Sequence, residues 1–197
     1  MAPLAADQLG GLLAGQGDLA GARGAYQQAI DSGHADAAPR AAYNFGNTLL
    51  LVGESGEAER LFRQALASSD EEAAPRAAGG LGSLLAERGD VQGARVALQQ
   101  AVDSRHAEAA PLAALHLAEL LRVLDDLEAA KDAYQRVIEL GSAREASQAV
   151  ESLVELSEQQ GHLEEGRAVL QLIGHRRPAR DDAAAAAGRA GTALGPP

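Results

Sequence analysis

Apolar residues recur along the chain at a fixed interval. Alanine and a larger apolar residue return every 36 residues, at two positions of a repeating unit. They are Ala5, Ala41, Ala77, Ala113 and Ala149, and Leu9, Phe45, Leu81, Leu117 and Leu153. Each unit contains two segments whose apolar residues fall on one helical face, which predicts a helical hairpin and an all-α fold. The five predicted hairpins span residues 3–38, 39–74, 75–110, 111–146 and 147–176.

A turn separates the two predicted helices of each unit. Glycine occupies this turn in four units, because a helix that ends in the left-handed conformation favours a residue without a Cβ atom. The residues at this position are Gly17, Gly53, Gly89 and Gly161, with Asp125 in the fourth unit. The next residue is acidic in the first four units and is expected to accept hydrogen bonds from free amides of the second helix. These residues are Asp18, Glu54, Asp90 and Asp126; His162 in the fifth unit predicts a less well capped helix.

The second helix of each unit repeats small and large apolar residues on one face. The small residues are Ala22, Ala58, Ala94, Ala130 and Gly166. Four residues later come Tyr26, Phe62, Leu98, Tyr134 and Leu170, followed after three more by Ala29, Ala65, Ala101, Val137 and Ile173. Small residues let neighbouring helices approach closely, so this face is predicted to form the core of a stack.

Residues 43–67 resemble the tetratricopeptide repeat in the order and spacing of the positions that make up that family's motif. The matching residues are Phe45-Gly46, Gly53-Glu54, Ala58, Phe62 and Ala65. The resemblance recurs five times and covers nearly the whole chain. It implies a right-handed α-solenoid of five helix-turn-helix repeats. Two features differ from the family: its usual period is about 34 residues, and its proline near the end of the second helix is absent here.

Proline lies instead near the start of the first helix of the next unit, at Pro39, Pro75 and Pro111. The sequence is consistent with two starting points for this helix. It begins at the proline, where a missing amide costs little, or about four residues earlier with a polar side chain as its cap. The residues in the capping position are His34, Asp70 and His106.

The repeat pattern ends near residue 176, which predicts a single solenoid domain over residues 3–176. Residues 177–197 are rich in alanine and glycine. Asp181-Asp182 before an alanine run favours a short cap helix, whereas Gly188, Gly191 and the terminal Gly-Pro-Pro oppose its extension. Disorder is expected past about Gly188.

Charge and composition limit the partners and the location. The formal net charge of −11 disfavours binding to nucleic acids and anionic membranes. The chain contains no cysteine, which excludes disulfides and thiolate metal sites. Neither a signal-like segment nor an apolar run long enough to span a membrane is present, so a soluble cytoplasmic protein is expected. All cationic residues except Lys131 are arginine, a bias typical of GC-rich bacterial coding sequence.

No arrangement of reactive side chains predicts catalysis. The five histidines do not have the spacing of a helical zinc site, so no metal is expected. Residues 79–82 are glycine-rich, but no predicted strand precedes them, and close helix packing explains them better than phosphate binding. The acidic pairs Asp125-Asp126 and Glu164-Glu165 fit helix capping. We expect neither enzymatic activity nor a cofactor.

The resemblance implies that the first helix of each unit lines a concave groove that binds a peptide. The positions that match the family's groove residues are Arg40, Tyr43, Asn44, Asn47, Leu50, Arg76, Ser83, His116, Glu119, Arg122, Glu151, Glu155 and Glu158. Guanidinium and carboxamide groups gather in units 2 and 3, and carboxylates in units 4 and 5. An acidic part of a peptide is therefore expected to bind toward units 2 and 3, and a basic part toward units 4 and 5.

The family's carboxylate clamp for acidic C-terminal peptides is only partly present. Asn47 matches the clamp's asparagine, but other polar and basic members are replaced. The replacing residues are Tyr43, Gly80, Leu112 and His116. A clamp for heat-shock proteins is therefore disfavoured.

The function predicted from the sequence is a protein–protein interaction scaffold that binds a peptide or a segment of a partner protein in the concave groove. One alternative is a structural or self-associating module, formed by end-to-end stacking of units 1 and 5 or by contact of groove and tail. The other alternative is a sensor fragment of a larger regulator.

Overall fold

The computed structural model describes residues 2–159, which form nine α-helices and no strand. The helices are α1 (Pro3–Gly15), α2 (Leu19–Asp31), α3 (Ala37–Leu51), α4 (Ser55–Leu66), α5 (Ala73–Glu87), α6 (Val91–Asp103), α7 (Ala109–Val123), α8 (Leu127–Leu140) and α9 (Ala143–Gln159). The predicted all-α fold is confirmed. The second helix of the fifth unit and the tail over residues 177–197 lie outside the described residues.

The first eight helices form four hairpins within one compact unit that comprises residues 1–146. We call α1, α3, α5 and α7 the A helices, and α2, α4, α6 and α8 the B helices. Each B helix packs against the A helix of its own hairpin, and α2, α4 and α6 also pack against the next A helix. The backbones of neighbouring A helices also lie close together. In the described part of the chain the backbones of neighbouring B helices lie farther apart, and long side chains such as Arg23 and Glu57 link α2 to α4. The A helices therefore form the inner row of the stack and the B helices the outer row.

The second compact unit begins at Ser147, inside α9. Its described residues end at Gln159. Four of its apolar side chains are buried and have the spacing of one helical face. They are Ala149, Val150, Leu153 and Leu156. The spacing agrees with the first helix predicted for the fifth repeat.

The turns within the hairpins have the predicted left-handed backbone. The φ angle is 81° at Gly17 and Gly53, 79° at Gly89 and 62° at Asp125. Asp125 is one of the few residue types other than glycine that adopt this conformation at modest cost. The prediction is confirmed for the first four repeats, and Gly161 lies outside the described residues.

Two of the four predicted acidic caps are formed. A side-chain oxygen of Asp18 accepts a hydrogen bond from the amide of Gly21 at 2.9 Å, and Asp90 accepts one from Gly93 at 3.0 Å. A Cβ atom added at either glycine would lie 2.4 Å from an oxygen of the capping carboxylate. The cap therefore depends on glycine three residues after the aspartate.

The prediction of caps at Glu54 and Asp126 is wrong, because neither side chain makes a capping hydrogen bond. Glu57 and Ala129 follow them by three residues and have the Cβ atom that glycine lacks. Glu54 instead accepts a hydrogen bond from Nη2 of Arg23 in the preceding repeat, at 2.7 Å. The carboxylate thus joins two repeats.

Helices α3, α5 and α7 begin with a side-chain cap, at the earlier of the two starting points that the sequence allows. Helices α3, α5 and α7 begin two residues before the prolines. One side-chain atom three residues before each start accepts two backbone amides, at distances between 2.6 and 3.4 Å. This atom is Nδ1 of His34, Oδ1 of Asp70 and Nδ1 of His106. The Nδ1 lone pair of each histidine takes the place of the carboxylate oxygen of Asp70 as the acceptor.

Large side chains of the B helices pack directly onto glycines of the A helices. A Cβ atom at Gly10, Gly46 or Gly82 would lie 2.5–2.7 Å from the opposing side chain. The opposing side chains are Tyr26, Phe62 and Leu98, all buried. The predicted core face of the B helices is buried in the first four repeats. Its members in the fifth repeat, Gly166, Leu170 and Ile173, lie outside the described residues.

Candidate functional site

The inner row presents the predicted groove residues of the first four repeats at partly or fully exposed positions. They are Arg40, Tyr43, Asn44, Asn47 and Leu50 on α3, Arg76 and Ser83 on α5, and His116, Glu119 and Arg122 on α7. The remaining three, Glu151, Glu155 and Glu158, are exposed on α9, in the compact unit that begins at Ser147. Within the first four repeats, most of the polar groove residues already have partners in the chain.

Asp7 of α1 holds two of the predicted groove residues. Its side chain is 2% exposed, and its Oδ1 accepts a hydrogen bond from Nδ2 of Asn44 at 2.9 Å. Its Oδ2 lies 3.4 Å from Nη2 of Arg40. A buried carboxylate requires such partners because it has lost its water shell. The sequence offered one signal for this contact, a lone acid in an otherwise uncharged helix.

Arg76 links α5 of the third repeat to Glu108, which directly precedes α7 of the fourth repeat. Its Nη2 lies 2.7 Å from Oε2 of Glu108 and 3.4 Å from Oε2 of Glu72, one turn earlier. Nε2 of His106 also lies 3.0 Å from Glu72. This hydrogen bond, together with the nearby charges, lowers the pKa of the Glu72 carboxyl below its usual value. Both carboxylates are largely exposed, so the guanidinium can exchange them for other partners.

Ser83 and His116 form a second polar contact between the third and fourth repeats. The Ser83 hydroxyl lies 2.7 Å from Nδ1 of the imidazole and 3.2 Å from the carbonyl oxygen of Gly79, one turn earlier. His116 is half-buried, and the loss of solvent lowers the pKa of its imidazole. The neutral ring therefore predominates near pH 7.

Glu119 is paired within the fourth repeat. It accepts hydrogen bonds from the Tyr134 hydroxyl and from Nε of Arg122, the latter at 3.0 Å. Nη2 of Arg122 lies 2.9 Å from the same carboxylate. The charges of this end of the inner row are thus balanced locally.

The carboxamide of Asn47 has no hydrogen-bond partner among residues 2–159. Its equivalent one repeat later is Ser83, which contacts His116 on the following A helix. The residue equivalent to His116 on α5 is Gly80, which has no side chain to offer. A Cβ atom at Gly80 would lie 3.0 Å from the ring of Phe62, so packing limits what this position can hold. The Asn47 amide is thereby left available.

Open helix surface and apolar side chains lie on the same two helices, α3 and α5. A Cβ atom added at Gly79 would meet no atom within 4 Å, so the helix surface there is open. Tyr43 and Leu50 are partly buried, and the Tyr43 ring lies 6.2 Å from that of Phe62. The centre of the inner row therefore combines a free amide, an aromatic ring and uncovered backbone.

A further concavity of about 880 Å³ opens on the outer row between α6 and α8, with α7 as its floor. Ala114, Leu117 and Leu121 form the apolar floor, and Val96 and Arg136 belong to the walls. The cleft was not predicted from the sequence. It arises because the backbones of neighbouring B helices stand apart, and periodicity within one helix does not report the distance to the next.

Between residues 2 and 159, no group of three or more histidine, aspartate or glutamate side chains could hold a metal ion. In the same range, no helix is both long and apolar enough to cross a membrane.

Comparison with known proteins supports the predicted resemblance. The family model of the tetratricopeptide repeat matches residues 112–140, which cover most of α7 and all of α8. No curated protein sequence matches the chain.

Several solved structures share the fold at low sequence identity. MamA is 20% identical, with a TM-score of 0.66, over 83% of this chain and 91% of MamA. PilF of Pseudomonas aeruginosa is 16% identical, with a TM-score of 0.68, over 89% of this chain and 76% of PilF. PilW, a type IV pilus biogenesis factor, is 16% identical, with a TM-score of 0.62, over 91% of this chain and 80% of PilW. These likenesses concern the fold, and the predicted family resemblance is confirmed.

Proposed function

We propose that this tetratricopeptide-repeat protein is a protein-interaction scaffold that holds an extended peptide segment of a partner along α3, α5 and α7. The repeat fold supports a scaffold for protein–protein contact in general. The unpartnered carboxamide of Asn47 on the inner row is the observation that carries the more specific proposal. An amide side chain offers both a donor and an acceptor, so it can pair with the C=O and N–H groups of an extended backbone.

The surface of α5 leaves room for such a backbone. Gly79 and Gly80 have no side chains, and the space beyond the Cα of Gly79 is open. Glycine inside a helix costs up to about 1 kcal/mol relative to alanine. Packing against Phe62 accounts for Gly80 but not for Gly79. Close approach of a ligand would explain the glycine at position 79, because a residue without a side chain permits contact with the helix backbone.

Arg76 is the cation that we assign to an acidic group of the peptide. Its partners Glu72 and Glu108 are 67% and 77% exposed, so water readily replaces them and a ligand carboxylate can displace them. Arg40 is unsuitable for this role because it neutralises the buried carboxylate of Asp7. The acidic part of the ligand thus binds toward the third repeat.

The proposal is tested with peptides selected from a random 12-residue library against the full-length chain. The tightest peptide is titrated by fluorescence anisotropy against the wild type, Asn47→Ala and Arg76→Glu. Asn47→Ala loses a hydrogen bond to an amide, and Arg76→Glu loses a charge-assisted bond. Each loss is expected to cost about 1.4 kcal/mol or more of binding free energy, so each variant should bind at least about tenfold more weakly.

Gln28→Ala is the matched control, because Gln28 is an exposed amide on the B helix α2, away from the inner row. It is expected to leave peptide affinity unchanged. Equal affinities of the wild type and Asn47→Ala would refute the inner-row site. If substitutions in the cleft between α6 and α8 weakened binding instead, the outer row would be the ligand-binding surface.

A further inference from the structure

Helix α1 exposes a face that the later A helices bury. Leu12 is 60% exposed, whereas its equivalents Thr48 and Leu84 are 9% and 2% exposed. Ala5 is exposed as well, whereas the equivalent Ala41 is fully buried. The residues of this face, which we call the α1 face, are Ala5, Leu9 and Leu12, with the exposed Leu4 beside them.

The contacts of α3 show what normally covers these positions. Phe45, the equivalent of Leu9, stacks on Tyr26 of the preceding B helix, with ring centroids 5.4 Å apart. Thr48, the equivalent of Leu12, lies beside the hydroxyl of the same tyrosine. The α1 face is therefore one half of a repeat–repeat interface, and it has kept its apolar character.

The α1 face carries no charge. Asp7 is the one charged residue of α1, and it is buried against Asn44 and Arg40 of α3. The uncharged residues Gln8 and Gly11 flank Leu12 on the exposed side of the helix. In a chain with a net charge of −11, most of the surface repels a second copy, whereas this face does not.

We propose that two copies of this chain associate through the α1 face, related by a two-fold axis so that each α1 covers the other. A two-fold interface uses the same patch on both copies, which an uncharged apolar helix face satisfies without like-charge repulsion. It uses the face by which each later A helix packs on the repeat before it. The surface is separate from the proposed peptide site on α3, α5 and α7, so this association does not depend on peptide binding.

The size of the face sets the strength of the dimer. Helix α1 has 13 residues and is about 20 Å long. A patch of this length buries less than the roughly 1,200 Å² in total that marks stable complexes. The dimer is therefore weak and reversible, and its formation depends on protein concentration.

The proposal is tested by sedimentation velocity of the full-length chain at concentrations up to about 0.2 mM. This range is needed because weak dimers have dissociation constants in the micromolar range and above. The mass of the wild type is expected to rise from 20.2 kDa toward twice that value. Leu12→Glu is expected to raise the dissociation constant at least about tenfold, because two carboxylates would meet near the axis.

Leu51→Glu is the matched control, because Leu51 is 89% exposed at the end of α3 and does not belong to the α1 face. It is expected to dimerise like the wild type. Circular dichroism verifies that both variants are folded, as expected for exposed positions. A wild type that stays monomeric, species larger than a dimer, or equal masses of the wild type and Leu12→Glu would each overturn the proposal.

Discussion

The carboxylate of Asp7 and the carboxamide of Asn44 form a hydrogen bond of 2.9 Å that joins the first repeat to the second. Asp7 is almost completely buried, and Arg40 provides the opposite charge 3.4 Å away. Asn44 and Arg40 together satisfy a carboxylate that would otherwise be costly to bury. Two residues that resemble ligand-binding groups in the sequence therefore act at an interface between repeats.

Removal of Arg40 is expected to destabilise the fold. Arg40→Ala should lower the free energy of unfolding by about 1–3 kcal/mol, because a buried carboxylate loses its charged partner. Arg76→Ala is the control and should cost less than about 1 kcal/mol, because its carboxylate partners are exposed. Urea denaturation of both variants measures the difference. Equal losses would contradict a specific role of Arg40 in holding Asp7.

Two glycines on α5 are expected to respond in opposite ways to alanine. A Cβ atom at Gly82 would lie 2.5 Å from Cγ of Leu98 and 3.0 Å from its backbone nitrogen. Gly82→Ala should therefore destabilise the protein by about 1–3 kcal/mol through overpacking. Gly79→Ala meets open space and should stabilise it by up to about 1 kcal/mol through helix propensity. Thermal unfolding of the two variants gives the signs, and a gain in stability for Gly82→Ala would show that the interface is loose.

The repeat was predictable because the core imposes it on every unit. Ala22 and Phe62 recur with helical spacing and are fully buried, and the turn at Gly17 has the left-handed backbone that glycine favours. Asp125 at the same turn shows that the position, rather than the residue type, determines the backbone. These features depend on residues that lie close in the chain, which a local pattern reveals.

The contacts of the inner row were not predictable in the same way, because they join residues far apart in the sequence. Asp7 and Asn44 are 37 residues apart, and Ser83 and His116 are 33 apart. Such distances differ from the 36-residue period, so equivalent positions do not indicate them. Asn47 likewise lacks a partner among the described residues because Gly80 of the next A helix, the equivalent of His116, has no side chain.

The cap of α3 by a histidine gives a further prediction. Nδ1 of His34 accepts the amides of Asp36 and Ala37, as Oδ1 of Asp70 does at the start of α5. His34→Ala should cost about 0.5–2 kcal/mol because the cap is lost. His34→Asp should be at least as stable as the wild type, because a carboxylate accepts the same amides and suits the helix N-terminus.

Denaturation with urea at pH 7.5 compares the two His34 variants with the wild type. The expected order of stability places Ala below both His and Asp. If His34→Ala were as stable as the wild type, the amides would be satisfied by water and the histidine would not contribute to the start of the helix.

His116 is expected to make stability depend on pH. Burial lowers the pKa of its imidazole in the folded state, so between pH 7.5 and 5.5 the unfolded chain binds more protons than the folded chain. The free energy of unfolding should therefore fall as the pH drops through the unfolded value of about 6.5, and this contribution should level off below the folded pKa. The lowered pKa of Glu72 acts in the same direction, but only in the more acidic range where carboxylates titrate.

His116→Gln separates the contribution of His116 from that of the other histidines. Glutamine does not titrate and can still bond to the Ser83 hydroxyl, while His34 and His106 are unchanged. Midpoints of urea unfolding at pH 7.5 and 5.5 should differ less for this variant than for the wild type. Identical pH dependences would mean that His116 is as accessible to protons in the folded state as in the unfolded chain. A larger loss in the variant would reverse the sign of the linkage and show that the folded structure binds the proton.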